Sequence, residues 1–437
     1  LRFLYNCLIY CAMPFALLRL VWKSRRTPAY LKRWNERFGF VDLQSAQGGI
    51  WVHAVSVGET IAVVPLIKRL QASHPDLPIT VTTMTPTGSE RVTTMLGDTV
   101  HHTYVPYDLP GAMKRFLKRL QPRLCLIMET EIWPNLLHQC QRQGVPTLLA
   151  NARMSAKSAK AYRRVARFSK SMINEITIIA AQSASDAARF RELGATAEQL
   201  HVTGSVKFDV TIPASLHEKA AVFRARWGGT RQTWVAASTH EGEEELVLKA
   251  FAKVLEQLPD TLLLLVPRHP ERFAKVASLC EKHGFATVLR SHNQPCLAET
   301  KVFLGDSMGE LGAYYAASDL AFVGGSLIPI GGHNLLEPAA VGVAAITGPN
   351  VFNFTEITRL LMEAGAVKLV QDYHALAEQV IALLNDRDAR SKAGLAGQQV
   401  VEQNRGAVDA HLALIDGIVA GSSSPSQQTA PECHSSP

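Results

Sequence analysis

The stretch GGSLIPIGGHNLLEPAA, Gly324–Ala340, decides how the rest of the chain is read. Two glycine pairs lead through His333 and Asn334 into a short apolar segment that carries Glu337. Physically this predicts a strand end, a backbone bare enough to lie against a ligand, and a helix N-terminus. Such a helix start offers unpaired N–H groups and positive dipole to an anion, and a carboxylate one turn in can accept bonds from two sugar hydroxyls. A nucleotide-sugar site fits that description; so, taken alone, does a glycine-rich turn of an ordinary α/β domain.

Outward from this stretch, short apolar runs alternate with segments of helical period. GGIWVHAVS, LPITVTTM, RLCLIMETE, VPTLLANAR, EITIIAAQS and QLHVTGS read as strands before Lys207, and TWVAAST, TLLLLVPRH, ATVLRS, KVFLGD, LAFVGGS and VAAITGP after it. KFDVTIPASLHEK breaks the alternation and reads as a linker. The expected architecture is α/β: two doubly wound parallel-sheet domains with a cleft between them. A length of 437 residues, 47% hydrophobic and 19% charged, suits two globular cores of about 150 to 200 residues each.

Ligands of such sheets bind beyond the carboxyl ends of the strands, and that rule selects the candidate residues. In the second half it collects Pro267, Arg268 and His269, then Met308, Gly309 and Glu310 after Asp306 and Ser307, then Asn334, Leu335, Leu336 and Glu337. Arg268 supplies a planar fork for phosphate oxygens. His333 either orients its loop or touches the ligand. In the first half the rule collects Glu59, at a loop-to-helix junction, where a general base or a helix-capping acid would serve equally. It adds Glu129 and Glu131, which strand alternation would point the same way, and Lys207 after a Gly-Ser turn. Pro65 predicts that the helix behind Glu59 starts late or kinks.

Residues 3 to 22, FLYNCLIYCAMPFALLRLVW, carry one charge, Arg19. Their uncharged part would span about 24 Å as a helix, so it predicts a membrane anchor that either spans or lies in the interface. Lys23, Arg25, Arg26, Lys32, Arg33 and Arg37 follow it against Glu36 alone, a basic collar suited to an anionic membrane surface on the cytoplasmic side. The net charge is +7, but no zinc-finger or RNA-binding signature is present, so nucleic acid is not an expected partner. Seven cysteines without a CxxC pair indicate a reducing compartment. The sole D-x-D, Asp386–Asp388, follows no apolar strand, and no metal or cofactor is expected.

HAVSVGE, METEIWPN, GSVKFD, VPRH, DSMGE and GGHNLLEP, in this order behind a short hydrophobic segment, resemble the 3-deoxy-D-manno-octulosonic acid (Kdo) transferases of lipopolysaccharide synthesis. The likeness runs from about residue 1 to 415. It implies the GT-B fold, a CMP-Kdo donor, a lipid A precursor (lipid IVA) as acceptor, and catalysis at the cytoplasmic face of the bacterial inner membrane. It also implies roles: Glu59 as general base, Glu129 and Lys207 in support of the transition state, and Pro267, Arg268, Met308 to Glu310 and Asn334 to Glu337 around CMP. The domains expected are an anchor and collar over 1–35, an acceptor and base domain over 36–210, a donor domain over 211–415 and a disordered tail over 416–437. Two alternatives stand beside this reading: another GT-B nucleotide-sugar enzyme, and a non-catalytic membrane-tethered nucleotide-sugar binding protein.

Overall fold

The computed structural model describes residues 1–25 and 27–421; Arg26 of the expected collar and residues 422–437 of the expected tail lie outside the described residues. The chain divides into two compact units, one formed by Leu1–Asp209 with the segment from Arg405 onward, the other by Val210–Asn404.

The first unit is built on seven strands: β1 (Ile50–His53), β2 (Ile79–Thr83), β3 (His101–Tyr104), β4 (Leu124–Met128), β5 (Thr147–Ala152), β6 (Ile178–Ala181) and β7 (Leu200–Val202). They are all parallel and ordered β3-β2-β1-β4-β5-β6-β7. Trp51, Cys125, Ile127 and Leu149 face one apolar layer, and Val52, Val81, Leu126 and Leu148 face the other. That two-sided burial is what makes these strands continuous apolar runs. The exception is β3, HHTY, which the hydrophobic pattern does not reveal because its outer half is only partly buried.

The second unit repeats the plan with β8 (Thr233–Thr239), β9 (Leu262–Pro267), β10 (Thr287–Leu289), β11 (Val302–Leu304), β12 (Leu320–Val323), β13 (Ala345–Thr347) and β14 (Val367–Leu369). Their order is β10-β11-β9-β8-β12-β13-β14, again parallel. The three-residue edge strand β14 was not legible in the apolar pattern either. The order reverses between β1 and β4 in one sheet and between β8 and β12 in the other, so each unit has a topological switch point.

The expected second domain ended at residue 415, whereas the helix Ala407–Gly421 belongs to the first unit. Ala407, Val408, Ile415 and Val419 complete the apolar layer that holds Val52 and Leu126, which is the physical reason for the return. Residues 416–421, expected in the tail, are helical for the same reason.

The helix Arg2–Ser24 is long and apolar enough to cross a membrane. One face is nevertheless committed to the first unit. Arg2 pairs with Glu175 at 2.6 Å, the Tyr5 hydroxyl donates to Asp108 at 2.8 Å, and Asn6 accepts from Asn135 at 2.8 Å. Further along, Ile9, Met13 and Leu17 cover Tyr107, Leu109 and Ala112. The opposite face is bare, with Phe3 81% and Phe15 73% exposed beside Leu8, Leu18 and Trp22. The collar shrinks in the same region. Arg33 is held by Glu36 and the His102 carbonyl, and buried Arg37 donates to the Met84 carbonyl against the Tyr104 ring.

Buried Asp108 fastens this assembly, since its carboxylate also accepts from the Asn135 and Leu136 N–H groups at the start of the helix Pro134–Arg142. Asp108→Ala leaves these two donors and the Tyr5 hydroxyl without their acceptor, and should cost about 2 to 4 kcal/mol in urea denaturation. It should also speed proteolysis within residues 1–25; unchanged cleavage and midpoint would refute this role for Asp108.

Candidate functional site

In the first unit the candidate carboxylates stand at the switch point. Ser56 caps the helix Val57–Ser73, which starts within the HAVSVGE motif and runs through Pro65 without a break, so the expected late start does not occur. Glu59 lies in its first turn, 7% exposed. One carboxylate oxygen accepts from the Ser56 hydroxyl at 2.7 Å and the other from the Val55 N–H at 2.8 Å, while the Ser56 hydroxyl accepts from the Glu59 N–H. Ser56 and Glu59 thus cap the helix start reciprocally, with the carboxylate reaching the N–H one residue before the N-cap instead of that of Ser56 as in a standard capping box, so Glu59 does serve as a capping acid. The same burial pushes its pKa up to about 7; the bonds from Ser56 and Val55 oppose that rise, and the nearby charges of Glu131 and Glu129 add to it. A carboxyl with those properties takes and releases a proton near neutrality.

β4 ends at Met128, one residue short of the carboxylates, so strand alternation does not govern Glu129 and Glu131 as expected. Glu129 instead adopts a left-handed backbone, φ 53°, and its side chain pairs with Lys207 at 3.1 Å. Glu131 accepts from the Trp133 indole at 2.8 Å, and burial raises its pKa. Lys207 itself sits in the single turn Val206–Phe208. The structure therefore brings Glu59, Glu129, Glu131 and Lys207 together by strand ends, the feature visible in sequence, with the turn geometry being the part that was not.

The second unit revises the opening motif. Gly325, φ 67°, begins a loop whose successive N–H groups, from Gly325, Ser326 and Leu327, all donate to the buried Glu243 carboxylate at 2.6, 3.0 and 3.0 Å. The bare backbone expected to lie against a ligand therefore has these amides already filled from within the chain. A Cβ at Gly324 would lie 2.8 Å from a Glu243 oxygen, so glycine is required for that approach. Burial raises the Glu243 pKa, and the three amide bonds oppose it. The helix that ends the motif, Leu336–Ala340, has only five residues, and the Leu336 N–H is taken by the Asn334 side chain at 3.1 Å. Glu337 is held by Asn334 at 3.4 Å; burial raises its pKa, Asn334 and Arg268 lower it.

Positive charge reaches this region on side chains. Arg268 follows β9, its N–H bonded to the Thr239 carbonyl, and its guanidinium makes no ion pair among the described residues. His240, which no sequence pattern singled out, directly follows β8 and meets His333 Nε2 to Nε2 at 2.7 Å with the rings within 2° of parallel. One nitrogen must donate and the other accept, so at least one ring is neutral at its contact. Burial, then His240, Arg268 and His269, bring His333 down to about 4. The contact ties the loop that carries His333 to the residue after β8.

Glu310 is likewise occupied: Arg290 binds both its oxygens at 3.0 Å, and Ser307 and Tyr314 donate to one of them. Burial alone would raise its pKa, but these donors hold it below the usual range. Met308, 63% exposed, and Gly309, φ 81°, form the outward tip of that turn. Asp386 of the D-x-D caps the helix Arg387–Gln403 through the Ala389 N–H. Among the described residues no three His, Cys, Asp or Glu side chains converge as a metal would require.

Two doubly wound units, each with a topological switch point that gathers polar side chains, make this a GT-B fold. The fold has a likeness to UDP-GlcNAc 2-epimerase from Neisseria meningitidis bound to UDP-GlcNAc, with a TM-score of 0.57 over 84% of this chain and 100% of that one; at 13% identity it shows the fold alone. Residues 32–210 match the family model for 3-deoxy-D-manno-octulosonic-acid transferase, and residues 235–400 the model for group 1 glycosyl transferases. The 3-deoxy-D-manno-octulosonic acid transferase of Haemophilus influenzae is 45% identical over 95% of this chain and 98% of its own. That of Bordetella pertussis is 38% identical over 79% of this chain and 82% of its own. The chain belongs to the Kdo transferase family.

Glu243→Ala leaves three buried amides without an acceptor. It should lower stability by about 2 to 4 kcal/mol and speed hydrogen exchange across residues 324–334; slow exchange in the variant would show that the loop holds its shape without the carboxylate.

Proposed function

We propose that the chain moves Kdo from CMP-Kdo to a lipid A precursor, lipid IVA, by direct displacement that inverts the anomeric centre. Glu59 takes the proton of the attacking hydroxyl. Its support is the single observation that a buried carboxyl at the switch point carries a pKa of about 7, within the field of Glu129 and Glu131. Oxocarbenium character grows as CMP leaves, and the Glu129–Lys207 pair supplies opposite charges fixed in place for that moment. In the second unit Pro267, Arg268, the tip at Met308 to Glu310 and the segment Asn334 to Glu337 hold CMP. Arg268, uncommitted within the described residues, meets the leaving phosphate. This distribution of cationic side chains lets departure proceed without a divalent metal.

The helix Arg2–Ser24 lies along the membrane surface instead of crossing it, on the cytoplasmic face. Its inner side is bonded through Arg2 and Tyr5 and packed through Ile9, Met13 and Leu17 to the first unit, and its outer apolar face is free to enter lipid. Lys23, Arg25 and Lys32 remain to meet anionic head groups.

Incubation with CMP-Kdo and tetraacylated lipid A precursor, in chelator, should yield lipid heavier by Kdo. No mass gain would remove the reading. The base works unprotonated, so the rate should rise with pH through about 7 and then level. Glu59→Gln should lose about 10² to 10⁴ in rate while calorimetry still shows CMP binding, and undiminished transfer by this variant would exclude Glu59 as the base. Phe3→Ser with Phe15→Ser should abolish flotation with phosphatidylglycerol vesicles and leave CMP binding unchanged; retained flotation would overturn the interfacial placement.

A further inference from the structure

The last helix reaches back to the candidate catalytic turn through a single buried residue. His411, fully buried on Ala407–Gly421, has its Nδ1 2.6 Å from the Ala407 carbonyl, which fixes the proton there. Its Nε2 is then an acceptor, and it takes the N–H of Asn151 at 2.8 Å. Asn151 stands at an irregularity of β5, where the register with β6 shifts between Leu149 and Ala152. It is left-handed, φ 51°. Its side-chain oxygen accepts from the Val206 N–H at 3.2 Å, immediately before Lys207. The far end of the same turn is tied to the same helix, because the Asp209 carboxylate accepts from the Gly406 and Val408 N–H groups at 2.7 and 2.5 Å.

Asparagine is a costly choice at position 151. Glycine would take the left-handed backbone without strain. It would also spare the buried Asn151 Nδ2, which has no partner among the described residues. What asparagine adds is the oxygen that grips Val206. Just past the end of the neighbouring strand β4 is a second left-handed residue, Glu129, whose N–H is bonded to the Ala150 carbonyl and whose side chain is the partner of Lys207.

We infer that His411 is a positioning residue for the Lys207–Glu129 pair, acting through the Asn151 backbone and side chain to hold the turn Val206–Phe208 in place. The inference rests on the proposed role of that pair. Displacing a charged group by an ångström at a reacting centre can cost two orders of magnitude in rate. Substrate affinity in the other unit has no reason to follow.

The test is steady-state transfer from CMP-Kdo to tetraacylated lipid A precursor by the full chain. Four single variants are compared: His411→Leu, which removes the acceptor, His411→Gln, which can restore one, Asn151→Gly, which keeps the backbone and removes the oxygen, and Lys207→Ala, which removes the cation itself. His411→Leu and Asn151→Gly should each lower kcat at least tenfold with the KM for CMP-Kdo within twofold. His411→Gln should recover to within threefold of the parent. The double variant His411→Leu/Asn151→Gly should be no slower than the slower single one, because both changes cut the same connection. Should His411→Leu fail to fold, Asn151→Gly carries the test. Full rate in Asn151→Gly while Lys207→Ala is impaired overturns the inference alone, as does a double variant whose losses multiply. Full rate in Lys207→Ala removes the reading beneath it.

Discussion

Each sheet is wound outward in both directions from one pair of neighbouring strands, and that reversal constrains everything described above. At β1 and β4, and again at β8 and β12, adjacent strand ends send the chain to opposite faces, so their loops part and leave polar groups at an open edge. Glu59 and Glu129 occupy one such edge; His240, Glu243 and the loop from Gly324 occupy the other. A parallel sheet buried on both faces has few other places to keep ionisable groups without paying for their desolvation.

Environment separates groups of the same chemistry. Glu59 is buried with neutral donors and two like charges, so its proton is held to near neutrality. Glu129, a few residues along an adjacent loop, is half-buried and paired to Lys207. Glu243 and Glu310 are buried or half-buried and spend their oxygens on amides, hydroxyls or a guanidinium. Position in the sheet gathers these acids, and the count of donors around each one decides what it does.

The strands, the two-unit plan and the clusters at strand ends were legible because a strand buried on both faces must be a continuous apolar run, and because the winding rule then says which end matters. Edge strands β3 and β14 were not, since partial burial removes the signal. Long-range partnerships were illegible for a different reason: Glu243 filling the loop from Gly325, His240 against His333, and His411 under Asn151 join residues 82, 93 and 260 positions apart. No local pattern encodes such a pair. The membership of the last helix belongs with these, as its apolar face fits either unit by composition and only packing against Val52 and Leu126 assigns it.

The carboxylate inside the glycine loop bears on what the second unit ignores. A loop of free amides would gather inorganic phosphate, sulfate and every nucleotide at cellular concentration, since an amide nest recognises little beyond negative charge. With Glu243 resident, those amide donors are already used within the chain, and Arg268 is left as a cationic side chain with no ion pair among the described residues. The motif thereby presents few bare amide donors of the kind that an open nest would offer to small anions.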